Sequence, residues 1–328
     1  MKKVLLGITL LLALTSCDDG DVKVESINFD DITPVKCDEK NLFYKINGSE
    51  ALLMDIASQD VFNFAFQNEE TPEGTPRTFA ISPDGTLPNR VFFRSYNGVV
   101  AGSKFCGSVT DANPSVTEEW IATSGTAEVT TTPLKVIDAT TGVQRITKYN
   151  HSIVFKNITF QKPNGQQTYE TFAFGTYQTT PTIFEFGFDV ANLAKSSCDN
   201  RLFNINGTEA LQLNLDATTY ANLIQNTVTT TPRIALLDAN NKLYYKLYNA
   251  LVDDAYFCAN PTPATPTLLQ EWIAKDGVTN VSGIIEVSTT TFGTQYQHTI
   301  HLKKVTFTRV NSEFELGNDF NLGSFYTN

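Results

Sequence analysis

Ile46-Asn47-Gly48-Ser49-Glu50-Ala51-Leu52 returns as Ile205-Asn206-Gly207-Thr208-Glu209-Ala210-Leu211, and this pair of stretches decides the architecture. Working outward, the correspondence keeps its order. Upstream, Cys37-Asp38 and Leu42-Phe43 match Cys198-Asp199 and Leu202-Phe203. Downstream, Thr75-Pro76-Arg77 matches Thr231-Pro232-Arg233, Phe105-Cys106 matches Phe257-Cys258, and Glu119-Trp120-Ile121-Ala122 matches Glu271-Trp272-Ile273-Ala274. Tyr149, His151 and Ile153 align with Tyr296, His298 and Ile300, and Phe184-Glu185-Phe186-Gly187 reads against Phe314-Glu315-Leu316-Gly317. Self-similarity in one order marks two units, 37–190 and 198–328. The connector Ala191 to Ser197 reaches at most about 24 Å, so the units are expected side by side.

Inside each unit the pattern is β. Leu52, Met54 and Ile56 alternate with their neighbours, as do Leu211, Leu213 and Leu215, and the Thr- and Val-rich stretches 128–132 and 286–291 are β-formers. Ser115-Val116-Thr117-Glu118 and Thr267-Leu268-Leu269-Gln270 fit the S/T-x-x-E/Q capping box, with Gly125 and Gly277 beyond as stops, which predicts one two-turn helix per unit carrying Trp120 or Trp272 on its apolar stripe. Tyr149, His151, Ile153 and Phe155 share a parity that Ile158 and Phe160 break, and Tyr296 to Leu302 are followed by the same break at Val305 and Phe307. A bulge or tight bend is expected near Lys156-Asn157 and Lys303-Lys304. The fold class is mainly β: two tandem antiparallel sandwich or barrel-like domains, each with one short helix.

The N-terminus carries an address. Lys2-Lys3 precede an apolar run, Val4 to Leu14, that is too short for a spanning helix and reads as a signal-peptide core. It ends in Leu14-Thr15-Ser16-Cys17, which resembles the lipobox of bacterial lipoproteins. The resemblance implies cleavage after residue 16 and acyl chains on Cys17; the segment 17–36, with Asp18-Asp19-Gly20-Asp21 after Cys17 and few large apolar residues, reads as an acidic tether. Several acyl chains at about 0.8 kcal/mol per buried methylene anchor a protein stably. With Cys17 acylated, four cysteines remain. The duplication puts one pair in each unit, Cys37 with Cys106 and Cys198 with Cys258, and an exported chain meets oxidising conditions.

The chain of 328 residues is 41% hydrophobic, and its formal charge of −11, with no basic run after the leader, argues against nucleic acid as a partner. No HExxH, GxSxG, SxxK, GxxxxGK[ST], GxGxxG or EF-hand pattern occurs, and no Cys-x-x-Cys spacing suggests a metal. No cofactor, metal or catalytic residue is therefore assigned. His151 and His298 are the acid/base candidates by residue type, but their apolar strand parity suits hydrogen-bonded structural histidines. The ligand-binding candidates are Phe92, Arg94 and Tyr96, repeated as Tyr244, Lys246 and Tyr248. Aromatic, cation, aromatic at spacing two lie on one strand face, where rings can stack on a sugar or apolar ligand. The other reading is that a loop, the helix or the second unit covers this face.

With its Cys, Phe-Cys, Glu-Trp-Ile-Ala and terminal Phe-Glu-Leu-Gly blocks, the full chain resembles duplicated surface lipoproteins of flavobacteria, and in plan it is similar to the surface glycan-binding lipoproteins of polysaccharide-utilisation systems. The resemblance implies an outer-membrane, cell-surface location, with the membrane reached through lipid on Cys17. The functional expectation is a binding or adhesion protein for glycan or another envelope ligand. An anchored hydrolase or a structural accessory of an outer-membrane complex are the alternatives.

Overall fold

The computed structural model describes residues 26–82, 89–107, 112–182 and 184–328. The leader, Cys17 and the first part of the tether lie outside the described residues. The first unit runs β1 (Val35–Lys36), β2 (Leu42–Asn47), β3 (Glu50–Ile56), α1 (Gln59–Ala65), β4 (Arg77–Ala80), β5 (Asn89–Tyr96), α2 (Ser103–Cys106), β6 (Val116–Ile137), β7 (Gln144–Lys162) and β8 (Gly165–Thr179). These strands form one antiparallel sheet in the order β1-β2-β3-β5-β6-β7-β8, with β4 joined to β6. Strand β6 serves two neighbours: residues Val116–Ile121 pair with β5 and Thr126–Val129 with β4. Between them Gly125 takes φ +137°, and a Cβ there would come within 2.9 Å of the Ile158 backbone. Only glycine allows that approach, so the sheet curls at this point.

The second unit comprises β9 (Leu193–Lys195), β10 (Leu202–Asn206), β11 (Glu209–Asn214), α3 (Ala217–Leu223), β12 (Arg233–Leu236), β13 (Lys242–Tyr248), α4 (Asp254–Cys258), β14 (Leu268–Ala274), β15 (Ile284–Phe292), β16 (Gln295–Lys303), β17 (Thr306–Arg309), β18 (Ser312–Glu315) and β19 (Phe320–Thr327). Two sheets result, ordered β18-β17-β14-β13-β11-β10-β9 and β12-β15-β16-β19. Where the first unit bends a long strand, the second divides it: β14 and β15 stand where the halves of β6 stand, and β17 and β16 where those of β7 do. The fold is thus mainly β, with sandwich-like and barrel-like antiparallel sheets. The expected parity break is present in both units. Asn157 (φ 50°) and Lys304 (φ 48°) turn the chain so that Phe155, Ile158 and Phe160, and likewise Leu302, Val305 and Phe307, all face inward.

The helices require a correction. Residues 115–120 and 267–272 are not helical; 116–120 belong to β6 and 268–272 to β14, and each unit instead has two short α-helices elsewhere. α1 is capped by Ser58, which accepts from Val61 N, and α3 by Asp216, which accepts from Thr218 and Thr219 N. The fourth residue of each supposed capping box accepts an indole proton: Trp120 Nε1 donates to Glu118 Oε1 at 2.6 Å, and Trp272 Nε1 to Gln270 Oε1 at 3.2 Å. Residues two apart on a strand share a face, so the motif satisfies a buried tryptophan and does not start a helix. Cross-strand pairing with β5 and β13 outweighs a local preference of a few tenths of a kcal/mol per residue.

Two further readings change. Residues 26–36, part of the expected tether, are packed: Ile27 and Phe29 are buried in the first core, and Phe29 meets Phe93 edge-on at 6.4 Å. Phe184 and Phe186, numbered with the first unit, pack in the second, against Tyr245 at 4.9 Å each. Glu209, itself buried, accepts hydrogen bonds from Glu185 N at 2.7 Å and Phe186 N at 3.1 Å and holds this segment down. Ile27-Asn28-Phe29-Asp30 and Phe186-Gly187-Phe188-Asp189 therefore play one role, entering their respective cores ahead of β1 and β9. The match of 184–187 with 314–317 is not structural, since Phe314 sits on β18 and packs against Phe184 at 5.8 Å.

The units share a junction. Val143, Ile146 and Tyr149 from the β6–β7 hairpin lie in the second unit's core cluster, and Tyr149 Oη and Glu70 N both donate to Ser312 Oγ. Disulfides join Cys37 to Cys106 and Cys198 to Cys258, the pairing expected from the sequence. They close loops of 69 and 60 positions, for which chain entropy gives about 4 kcal/mol each. No helix among the described residues is long and apolar enough to cross a membrane.

Candidate functional site

The six ligand-binding candidates separate into two groups. Tyr96 (5% exposed) and Tyr248 (4%) are buried. Tyr96 packs with Leu53, Val100 and Phe105 beside the Cys37–Cys106 bond, and Tyr248 meets Tyr256 at 5.3 Å and Phe257 at 5.9 Å. The disulfide-bearing loops and the helices α2 and α4 therefore cover this end of the strand face, and burial pushes both phenol groups up from their ordinary range. A platform that includes Tyr96 and Tyr248 as exposed stacking rings is corrected on this point.

Phe92, Arg94, Tyr244 and Lys246 remain half-buried on the outer face. Arg94 Nε donates to Glu119 Oε2 at 2.5 Å, and its guanidinium lies 5.1 Å from the centre of the Phe92 ring. Lys246 Nζ pairs with Glu271 Oε2 at 3.3 Å and lies 5.0 Å from the Tyr244 ring. These carboxylates are the cross-strand partners of the cations, Arg94 opposite Glu119 and Lys246 opposite Glu271. Sequence reasoning missed them because a helix had been assigned there. The available signal was Trp120-x-Ala122, an alternation continuous with the β-rich run that follows. In the first unit Arg94, Tyr96, Lys104, Phe105, Val116 and Glu119 line an open groove of about 380 Å³. A ligand there meets a donor, an acceptor and an apolar wall within one side chain's reach.

The histidines occupy a different, interior arrangement that is the same in both units. Arg77 Nη1 donates to Thr131 Oγ1 at 3.1 Å, Thr131 Oγ1 meets His151 Nδ1 at 2.9 Å, and His151 Nε2 meets Thr179 Oγ1 at 2.8 Å. Thr179 Oγ1 then donates to Asn68 Oδ1. In the second unit Arg233, Thr289, His298, Thr327 and Asn226 repeat the relay, at 2.8, 2.9, 2.9 and 2.5 Å. Donor accounting gives it a direction. Asn68 Oδ1 only accepts and Thr179 has one proton, so Nε2–H must donate to Thr179; Nδ1 of the neutral ring then accepts from Thr131, whose oxygen accepts from Arg77. Both imidazoles are 0% exposed and neutral. Burial, with Arg77 second, holds the His151 pKa at about 4, and burial with Arg233 lowers that of His298. Such a ring has no spare lone pair for substrate and serves as a cross-strand clamp. The third histidine, His301, faces outward against Asp319 at 2.7 Å.

This clamp has a pH signature. The unfolded His151 takes a proton near pH 6.5 while the folded one resists until about 4. The folded state thus binds fewer protons between these values, and stability, complete above pH 6.5, falls as pH drops toward 4. The loss expected from His151 is about 3 kcal/mol, and His298 adds in the same direction. Urea unfolding of the native protein and of His151→Gln at pH 7.5 and 4.5 checks this. The variant should lose markedly less stability over that interval, and equal losses would refute the assignment.

Among the described residues, no group of three or more His, Cys, Asp or Glu side chains is placed to hold a metal ion. Comparison with protein-family models, curated proteins and solved structures found no match.

Proposed function

We propose that this chain is a duplicated, lipid-anchored surface protein that binds glycan or a similarly hydroxylated envelope ligand without chemical turnover. The observation that carries the reading is the cation–carboxylate pair beside an aromatic ring, Arg94–Glu119 at Phe92 and Lys246–Glu271 at Tyr244, at the same register of both units. Half-buried cross-strand pairs of this kind contribute only roughly 0.2–1 kcal/mol to folding. Folding alone therefore gives little reason for both units to carry one. A guanidinium or ammonium donates to a hydroxyl oxygen, a carboxylate accepts its proton, and the ring or groove wall takes the apolar face of a sugar. Two linked sites on one chain gain avidity when both engage.

A glycan array probed with the native protein and with the Arg94→Ala/Lys246→Ala double variant tests this. Expected is at least a tenfold loss of binding with little change in melting temperature; binding that survives the double substitution refutes it. The anchor is tested separately. Cys17→Ala should move the protein from the membrane fraction to the soluble fraction of the cell envelope, and unchanged partition would refute acylation as the attachment.

A further inference from the structure

The two disulfides occupy unlike surroundings. Cys37 is 2% exposed, inside the apolar cluster of Leu53, Tyr96, Val100 and Phe105. The neighbouring cations are turned to carbonyls: Lys36 donates to Cys37 O at 2.9 Å, and Lys40 to Gly107 O at 2.9 Å and Phe105 O at 3.4 Å. In the second unit Cys198 is exposed and Cys258 half-buried. Arg201, at the position of Lys40, donates Nη2 to the equivalent carbonyl, Phe257 O, at 2.9 Å, but the same nitrogen also lies 3.4 Å from Cys198 Sγ while Nε pairs with Asp199 at 2.6 Å. Ser196 Oγ accepts from Cys198 N and stands 3.1 Å from Cys198 Sγ and 3.2 Å from Cys258 Sγ, between the two sulfurs. On the far side Asp254 Oδ1 lies 3.6 Å from Cys258 Sγ. Hydrogen bonds from Ser197, with burial opposing them, hold the Asp254 carboxyl below its usual range, so it is ionised at neutral pH.

We infer that Cys198–Cys258 is a thiol-exchange site at which an incoming thiolate becomes joined to Cys258 and Cys198 departs as the thiolate. The polarity follows from the charged neighbours: the Arg201 guanidinium at Cys198 favours a thiolate there, whereas the Asp254 carboxylate disfavours one on Cys258. Exchange is faster toward the better leaving group and requires access; Cys198 is exposed, and Cys258, the sulfur attacked, is half-buried. The attacking thiol gives its proton to solvent, and its sulfur forms a new bond to Cys258 Sγ. The Cys198–Cys258 bond breaks, and its electron pair stays on Cys198 Sγ. One disulfide is consumed and one made, so no oxidant is needed, and return of Cys198 onto Cys258 releases the thiol. The ligand class is a free thiol, on a partner protein or on a small molecule, held by a reversible covalent bond.

The test uses the full mature chain and 2-mercaptoethanol, an uncharged thiol, with acid quenching at short times and mapping of peptides by mass. Expected is the adduct on Cys258 with free Cys198, forming at least tenfold faster than any opening of Cys37–Cys106. Arg201→Gln should slow the adduct several-fold, and Arg201→Lys should restore part of the rate. Equal opening of both disulfides, or adduct found first on Cys198, would overturn the assignment, and so would an unchanged rate in Arg201→Gln.

Discussion

Phe184→Ala is expected to cost the second unit about 3–5 kcal/mol, as the loss of a ring from a packed core does. Phe184 is only 3% exposed, and it meets Tyr245 at 4.9 Å, Trp272 at 5.8 Å and Phe314 at 5.8 Å, all within the second unit's core. The edge-to-face pairs with Tyr245 and Trp272 contribute about 0.5–1.5 kcal/mol each beyond the area they bury. The measurement is urea unfolding of the full chain, with Val190→Ala, a nearby exposed position, as control. Val190→Ala should stay within about 0.5 kcal/mol of the native protein. A loss below 1 kcal/mol for Phe184→Ala would show that the segment before residue 190 is not part of the second core.

The companion result concerns the two tyrosines at the covered end of the binding face. Tyr96→Ala and Tyr248→Ala should each remove about 3–5 kcal/mol and lower the melting temperature by roughly 10 °C. Each ring is buried between its strand and the helix that carries the second half-cystine, α2 or α4. Calorimetry of the single variants beside Arg94→Ala and Lys246→Ala separates support from contact. The tyrosine variants should lose stability, while the cation variants should lose binding and keep their melting temperature. A tyrosine variant that melts like the native protein would restore the ring to the ligand surface.

Much of this molecule was legible because two copies of one pattern check each other. Alternation at Leu52-Met54-Ile56 is a local property of the strand, and so is the parity break at Asn157 and Lys304, where one extra residue turns every later side chain over. The helix at 115–120 was misread for an equally physical reason. Ser-x-x-Glu caps a helix only if the backbone there is free to be helical, and Glu118 is instead the acceptor for the Trp120 indole. With a helix expected there, the carboxylates Glu119 and Glu271 of the candidate site are visible only once strand register places them opposite Arg94 and Lys246.

The sequence by itself determined the β class, the pairing of the four cysteines and the inward parity of the histidines, because each rests on local periodicity or on one copy answering the other. Tertiary structure alone decided which rings are covered, which residues enter each core and what the histidines hold. Burial of Tyr96, docking of Phe184 on Tyr245 and the relay from Arg77 through His151 to Asn68 all join residues far apart in the chain. Period two says which way a side chain points on its own strand, but it carries no information about what is packed against that face.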